Sequence, residues 1–214
     1  MNKLLNQDVA NQIKEVLKMM ENDITVIFFG TNKACEMCEP TAQLLNEVKV
    51  LNPKITLLER TLEDDAVEAS KYGVTYAPTF VILDQNKNFK RFRFNGIPAG
   101  HEINSLISSL IDSSTTKPFF DQKVMDRIAK IDKNVNIKVF VTLGCPHCPG
   151  AVTNAFRLAM TNSNIEAEAY EAQTFYELSE KYNVSSVPKI IINDKYEFLG
   201  NQPIETFLNE IDKL

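Results

Sequence analysis

Residues 35–38, Cys-Glu-Met-Cys, and residues 145–148, Cys-Pro-His-Cys, decide how this chain is read. They hold all four of its cysteines. Each run follows a β-like apolar stretch, Ile24–Phe29 or Ile137–Val141, and opens a helix-like segment. A proline, Pro78 or Pro188, lies 40 residues past each second cysteine. The same offset of 110 residues relates Cys35 to Cys145, Cys38 to Cys148, Tyr72 to Tyr182, Val74 to Val184 and Pro78 to Pro188. It drops to 104 at Gly96 and Gly200, where the second hairpin is shorter. Length changes are tolerated in hairpins, so the shift supports the alignment. At this period a repeat means two tandem domains rather than a solenoid.

The elements recur in the same order. In the first copy an amphipathic helix over residues 5–20 precedes the buried strand Ile24–Phe29. A helix then runs to about Leu51, followed by a strand at Ile55–Glu59, a short helix over 63–71 and a strand at Thr79–Leu83. The alternating run Phe89–Phe94 reads as a half-exposed strand, and a closing helix carries Ile103, Leu106, Ile107, Leu110 and Ile111. Ser113–Pro118 is the most linker-like stretch, small, polar and ended by proline. The second copy then repeats helix, strand, helix, strand, helix, strand, hairpin and helix. The expected domains are 1–114 and 115–214, each a four-stranded mixed sheet flanked by helices, in the α/β class.

Composition narrows the function. The chain has 214 residues, a net charge of −5 and a pI near 5.2. Residues 1–114 carry 12 Lys+Arg against 15 Asp+Glu, and residues 115–214 carry 11 against 13. Both halves are therefore mildly acidic, which argues against nucleic acid or an anionic membrane surface as a partner. No apolar stretch approaches the roughly 18 residues that a membrane span needs. The polar N-terminus lacks a signal-like apolar core, so the expected location is cytoplasmic. In a reducing compartment, cysteines paired as C-x-x-C are more often catalytic or metal-binding than structural.

The spacing has a chemical logic. A thiolate is the reactive form of cysteine, and a helix N-terminus stabilises it. With the second cysteine one turn further on, the first can attack a substrate disulfide and the second can resolve the mixed disulfide. Cys35 and Cys145 are thus the expected nucleophiles, with Cys38 and Cys148 resolving. The intervening residues tune the reaction. Glu36 disfavours a thiolate at Cys35, whereas His147, next to Pro146, can set a positive charge and a hydrogen bond near Cys145. The second disulfide is therefore expected to be the more easily reduced and the second dithiol the main site. Glu63-Asp64-Asp65 reads as a solvated helix start and His101 as a surface residue.

These motifs and their order resemble the thioredoxin fold, present twice. Along nearly its whole length the chain is similar to two-domain glutaredoxin-like protein disulfide oxidoreductases, and to the N-terminal domain of alkyl hydroperoxide reductase flavoproteins. The resemblance implies cis peptide bonds at Ala77-Pro78 and Val187-Pro188, each beside its dithiol, with Ala77 and Val187 pairing by backbone with an extended substrate. It also implies thiol–disulfide exchange with protein thiols and disulfides. No cofactor is expected, because no G-x-G-x-x-G run is present for a nucleotide. Electrons would come from a separate reductase or a small thiol, with a peroxiredoxin among the candidate partners. Two departures from thioredoxins stand out. Ala34 and Gly144 replace the aromatic before the first cysteine. Phe29 and Val139 occupy the place of the buried aspartate six residues before it. Glu168 and Glu171 are the candidate proton acceptors, with a solvent-facing role as the alternative for both.

Two other function classes fit part of the pattern. Four thiolates could bind zinc or a cluster. A redox-inactive scaffold could use the same peptide groove without its cysteines.

Overall fold

The computed structural model describes residues 3–214. Its first half contains α1 (Gln7–Leu17), β1 (Ile24–Gly30), α2 (Cys38–Lys49), β2 (Ile55–Thr61), α3 (Ala66–Lys71), β3 (Thr79–Leu83) and β4 (Phe92–Asn95). A 3-10 turn at Gly100–Glu102 then leads into α4 (Ile103–Ser114). The second half repeats the series as α5 (Gln122–Ile128), β5 (Val135–Val141), α6 (Cys148–Thr161), β6 (Ile165–Glu171), α7 (Tyr176–Lys181), β7 (Lys189–Ile192), β8 (Tyr196–Leu199) and α8 (Ile204–Ile211). The leading helices start alike. Asn6 and Asp121 each cap their helix by accepting the backbone N–H of the residue three further on, at 2.9 Å.

Pairing within the halves is equivalent. β1 runs parallel to β2 and antiparallel to β3, which pairs antiparallel with β4. β5 runs parallel to β6 and antiparallel to β7, which pairs antiparallel with β8. The fold is thus thioredoxin-like twice over, an α/β mixed sheet with flanking helices. The two sheets are continuous. β4 and β6 pair in parallel, giving eight strands in the order β2-β1-β3-β4-β6-β5-β7-β8.

Strand alternation divides the apolar side chains between two faces. Val26 and Phe28 join one large core that includes residues from α1, α2, α4, α5, α6 and α8. Ile27 and Phe29 point the other way, onto residues of α3, and Phe140 and Tyr170 form the matching small cluster with Leu178 of α7.

The β4–β6 pairing overturns one expectation. The Phe89–Phe94 run reads as a half-exposed strand, but β4 starts at Phe92 and all four of its residues are buried. Its counterpart β8 remains an edge strand with every second residue exposed. The same repeat element therefore meets two environments, because β4 has a second neighbour and β8 has none. Phe92 stacks on Phe156 of α6 with ring centroids 4.1 Å apart. On the opposite face Arg93 is almost fully buried. It donates to Tyr72 O at 2.6 Å and pairs with Glu166 at 2.8 Å and Glu168 at 3.4 Å. Gly73, at φ +63°, makes room for it, because a Cβ there would lie 2.3 Å from the Arg93 guanidinium. The more exposed Arg91 pairs with Glu166 at 3.0 Å.

The linker-like stretch also differs from its reading. Ser113 and Ser114 end α4 and are buried. Ser114 Oγ accepts the backbone N–H of Glu21 at 3.1 Å, and its carbonyl accepts Asn22 Nδ2 at 2.8 Å. Their small size suits a crowded join. α4 packs beside α6, where Arg157 and Asp112 form an ion pair at 2.7 Å. No helix among the described residues is long and apolar enough to cross a membrane.

The seam yields a stability prediction. Arg93→Met leaves Glu168 without its cation, Glu166 with Arg91 alone and the Tyr72 carbonyl without its donor, and should lower the unfolding free energy by about 2–4 kcal/mol. Arg91→Met, at a more exposed pair, should cost about 1 kcal/mol or less. Urea denaturation of both variants measures the difference.

Candidate active site

Both cysteine pairs form disulfides, Cys35–Cys38 and Cys145–Cys148, with Cα atoms 5.4 and 5.5 Å apart. Each sits at the C-terminal end of a central strand, in the loop that leads to a helix. α2 and α6 begin at the second cysteine of each pair, and the first cysteine lies in the preceding turn. Pro40 and Pro149 fall in the first helical turn, where a backbone N–H has no intrahelical partner to lose. Backbone donors still reach the motifs. The Cys148 N–H donates to Cys145 Sγ at 3.1 Å. The Cys38 N–H instead donates to the Cys35 carbonyl at 3.3 Å.

Burial separates the sites further. Cys145 is 8% exposed and Cys148 fully buried, whereas Cys35 and Cys38 are both half-buried. Glu36, Pro146 and His147 occupy the turns between the cysteines with exposed side chains. His147 makes no hydrogen bond to any described residue.

Ala77-Pro78 and Val187-Pro188 are both cis. The carbonyls of Pro78 and Pro188 accept equivalent N–H groups, from Gly96 at 2.8 Å and Gly200 at 2.9 Å. Ala77 itself has neither its N–H nor its C=O paired within the described residues. Around the first dithiol, Cys35, Glu36, Ala77 and Pro78 line a single cavity of about 490 Å³. Four residues of the second half complete the lining: Leu143, Glu171, Gln173 and Thr174. The loop preceding Cys35 is tied down by acceptors on the neighbouring turn, since Glu63 takes Thr31 Oγ1 at 2.6 Å and the Asn32 N–H at 2.9 Å. That role explains the acidic run at 63–65.

The candidate proton acceptors fare differently. Glu168 is engaged at the seam, with Arg93 and with Tyr170 Oη at 3.0 Å. Glu171 is buried but satisfied, accepting the N–H groups of Gln173 at 3.2 Å and Thr174 at 2.7 Å, and Thr174 Oγ1 at 2.7 Å. Phe29 and Val139 are fully buried, so the usual aspartate position is apolar in both copies.

The carboxyl that stands out is Glu102, which the sequence reading passed over. It is fully buried, accepts Ser105 Oγ at 2.6 Å through one oxygen, and leaves Oε1 without a partner. Burial pushes it up to about 7 despite the Ser105 hydrogen bond, with the Glu171 charge adding to the rise. The turn carrying Glu102 belongs to the first half yet presses on the second site. It packs against α6, and the His101 N–H donates to Leu143 O at 2.8 Å, two residues before Cys145. Gly100, at φ +57°, permits this contact, because a Cβ there would lie 2.4 Å from Leu143 O. A signal for Glu102 was present in the sequence: it precedes Leu106 and Leu110 at four-residue spacing, on the buried face of the closing helix.

Residues 135–213 match the family model described as a thioredoxin domain. Over 97% of its length the chain is 26% identical to the alkyl hydroperoxide reductase protein AhpF of Staphylococcus aureus, and equally so to that of Staphylococcus epidermidis. It spans 38% of the length of these relatives. The structure of AhpF from Enterococcus faecalis superposes with a TM-score of 0.91 at 25% identity, covering 98% of this chain and 100% of that one. A protein disulfide oxidoreductase from Aeropyrum pernix superposes with a TM-score of 0.88 at 29% identity, covering 98% of this chain and 94% of that one. The chain is thus similar along nearly its whole length to thioredoxin-fold disulfide oxidoreductases, and it carries two C-x-x-C disulfides.

A buried acid raised from 4.5 to about 7 destabilises the fold once it must ionise. The native state holds this proton through the window in which the unfolded chain releases it. The contribution of Glu102 to stability therefore falls as pH rises from about 4.5 to about 7. Relative to Glu102→Gln, the unfolding free energy of the wild type should drop by about 3 kcal/mol across that window. Urea denaturation of the two proteins at a series of pH values checks this.

Proposed function

We propose that the protein is a thiol–disulfide oxidoreductase acting on protein substrates through both dithiols. The observation that carries the reading is the pair of C-x-x-C disulfides, each before a helix and each matched by a cis-proline, in a chain similar end to end to a protein disulfide oxidoreductase. In this proposal the functional units are residues 1–114 and 115–214. Cys35 and Cys145 attack, and Cys38 and Cys148 resolve. Ala77-Pro78 and Val187-Pro188 form the substrate grooves.

Cys145/Cys148 is the main site. The backbone N–H on Cys145 Sγ favours a thiolate there, and the neighbouring Pro146-His147 turn carries no carboxylate of the kind that Glu36 sets beside Cys35. Glu102 serves as the proton acceptor of this site, because it is a buried, half-satisfied carboxyl on a turn that packs on α6. The protein works in the cytoplasm, and a separate reductase or a small thiol supplies electrons. The names of the AhpF relatives place them in alkyl hydroperoxide reductases. By that likeness, a peroxide-reducing partner such as a peroxiredoxin is the proposed electron acceptor.

Dithiothreitol-driven reduction of insulin tests the assignment. Cys145→Ser should remove most of the activity and Cys35→Ser a smaller share. In redox titration the Cys145–Cys148 disulfide should be reduced at the less negative potential. Equal potentials would remove the basis for calling it the main site. The second-site rate, followed in a Cys35→Ser/Cys38→Ser protein, should rise with pH through about 7 as Glu102 becomes able to accept a proton. Glu102→Gln should flatten this limb and slow the reaction at least about tenfold at its plateau.

A further inference from the structure

We propose that the second half supplies one wall of the peptide site at the first dithiol, with Gln173 binding the backbone of an extended, uncharged or basic segment held against Ala77. This rests on the oxidoreductase reading and names the substrate class of its first site. Three observations carry it.

Ala77 offers an unpaired N–H and C=O beside the Cys35 disulfide, so an extended segment can pair with it along one side. Such a segment has a second row of backbone groups facing away from Ala77. In the same cavity the exposed Gln173 amide has no intramolecular partner, and an amide can both donate and accept. Glu171 holds the loop by accepting the N–H groups of Gln173 and Thr174, which fixes where the amide projects. The Thr174 hydroxyl is already spent on Glu171.

Charge narrows the occupant. Glu36 and Glu171 are the charged residues of the cavity lining, which contains no lysine, arginine or histidine. Anionic segments are disfavoured there.

Topology makes the wall particular to one site. The loop after β6 stands over the first dithiol because β6 pairs with β4. At the second dithiol the equivalent of β4 is β8, whose one strand neighbour is β7. No strand and following loop among the described residues occupies the corresponding place.

In the reaction, the Cys35 thiolate attacks the substrate sulfur and expels the other sulfur as a thiolate. Cys38 then attacks Cys35 and releases the substrate thiol, so the dithiol loses two electrons and the substrate disulfide gains them. A small dithiol in solution restores the reduced pair.

The test uses full-length Cys145→Ser/Cys148→Ser protein with dithiothreitol as reductant. The substrates are single-cysteine peptides in mixed disulfide with 2-mercaptoethanol, flanked by lysine or by glutamate, and bis(2-hydroxyethyl) disulfide, which has no peptide backbone. Gln173→Ala should lower kcat/KM for the lysine peptide, relative to that for the small disulfide, by about three- to tenfold, and through KM. The unsubstituted wall should prefer the lysine peptide over the glutamate peptide by about threefold or more. The fall should be at least threefold larger in this protein than in the Cys35→Ser/Cys38→Ser background. An unchanged ratio, an equal fall in both backgrounds, or a preference for the glutamate peptide overturns the proposal. Failure to turn over the small disulfide in either background would instead overturn the oxidoreductase reading itself, and the wall with it.

Discussion

The parallel pairing of β4 with β6 is the constraint on which the rest of this molecule depends. It converts an edge strand into a central one, joins two four-stranded sheets into eight, and merges two apolar interiors into one large core. It is also asymmetric. A two-fold arrangement would pair like edges, but here the last strand of one copy meets the parallel-paired edge strand of the other. The free edges that remain, β2 and β8, are therefore of different kinds. Each dithiol consequently has different neighbours although its own copy is built the same way. The seam is held by means suited to its burial: Phe92 against Phe156 on the core face, and Arg93 between Glu166 and Glu168 on the other.

Much of the fold was legible because its signals are local. Buried strands read as β-branched runs, the closing helix showed its apolar face, and the constant offset of 110 tied both dithiols and both prolines to one template. The seam was not legible. In Phe89–Phe94 the alternation of aromatic and cationic residues is the same whether the cations meet water or carboxylates. The distinction lies in Glu166 and Glu168, more than 70 positions away, whose partners are set by tertiary pairing alone. Ser113 and Ser114 misled for a related reason. Small polar residues mark linkers, but they also mark helix ends that must pack closely.

The site was legible in its sulfurs and prolines and opaque in its environment. Two identical spacings gave one half-buried dithiol facing a cavity and one dithiol sunk into the core. Sequence shows the dipeptides between the cysteines, Glu36 and Met37 in one copy, Pro146 and His147 in the other. The larger differences come from what the other half places nearby, and nothing within either motif encodes that.

The acid near the second site shows how far this dependence between the halves goes. In both copies the strand position that could hold a buried carboxylate is apolar, Phe29 or Val139. The buried and half-satisfied carboxyl, Glu102, comes from the turn that leads into the closing helix of the first half, where Gly100 lies against Leu143 with no room for a side chain. In the opposite direction, Glu171 of the second half braces the loop that faces Cys35. Each copy thus contributes a buried carboxylate at the join with the other, and Glu171 raises the proton affinity of Glu102 across it. A single copy cut out at the linker would lose its partner's acid, the seam strand and half of the common core. The duplication therefore did more than double a site. It produced a unit in which neither dithiol has its full surroundings without the other half.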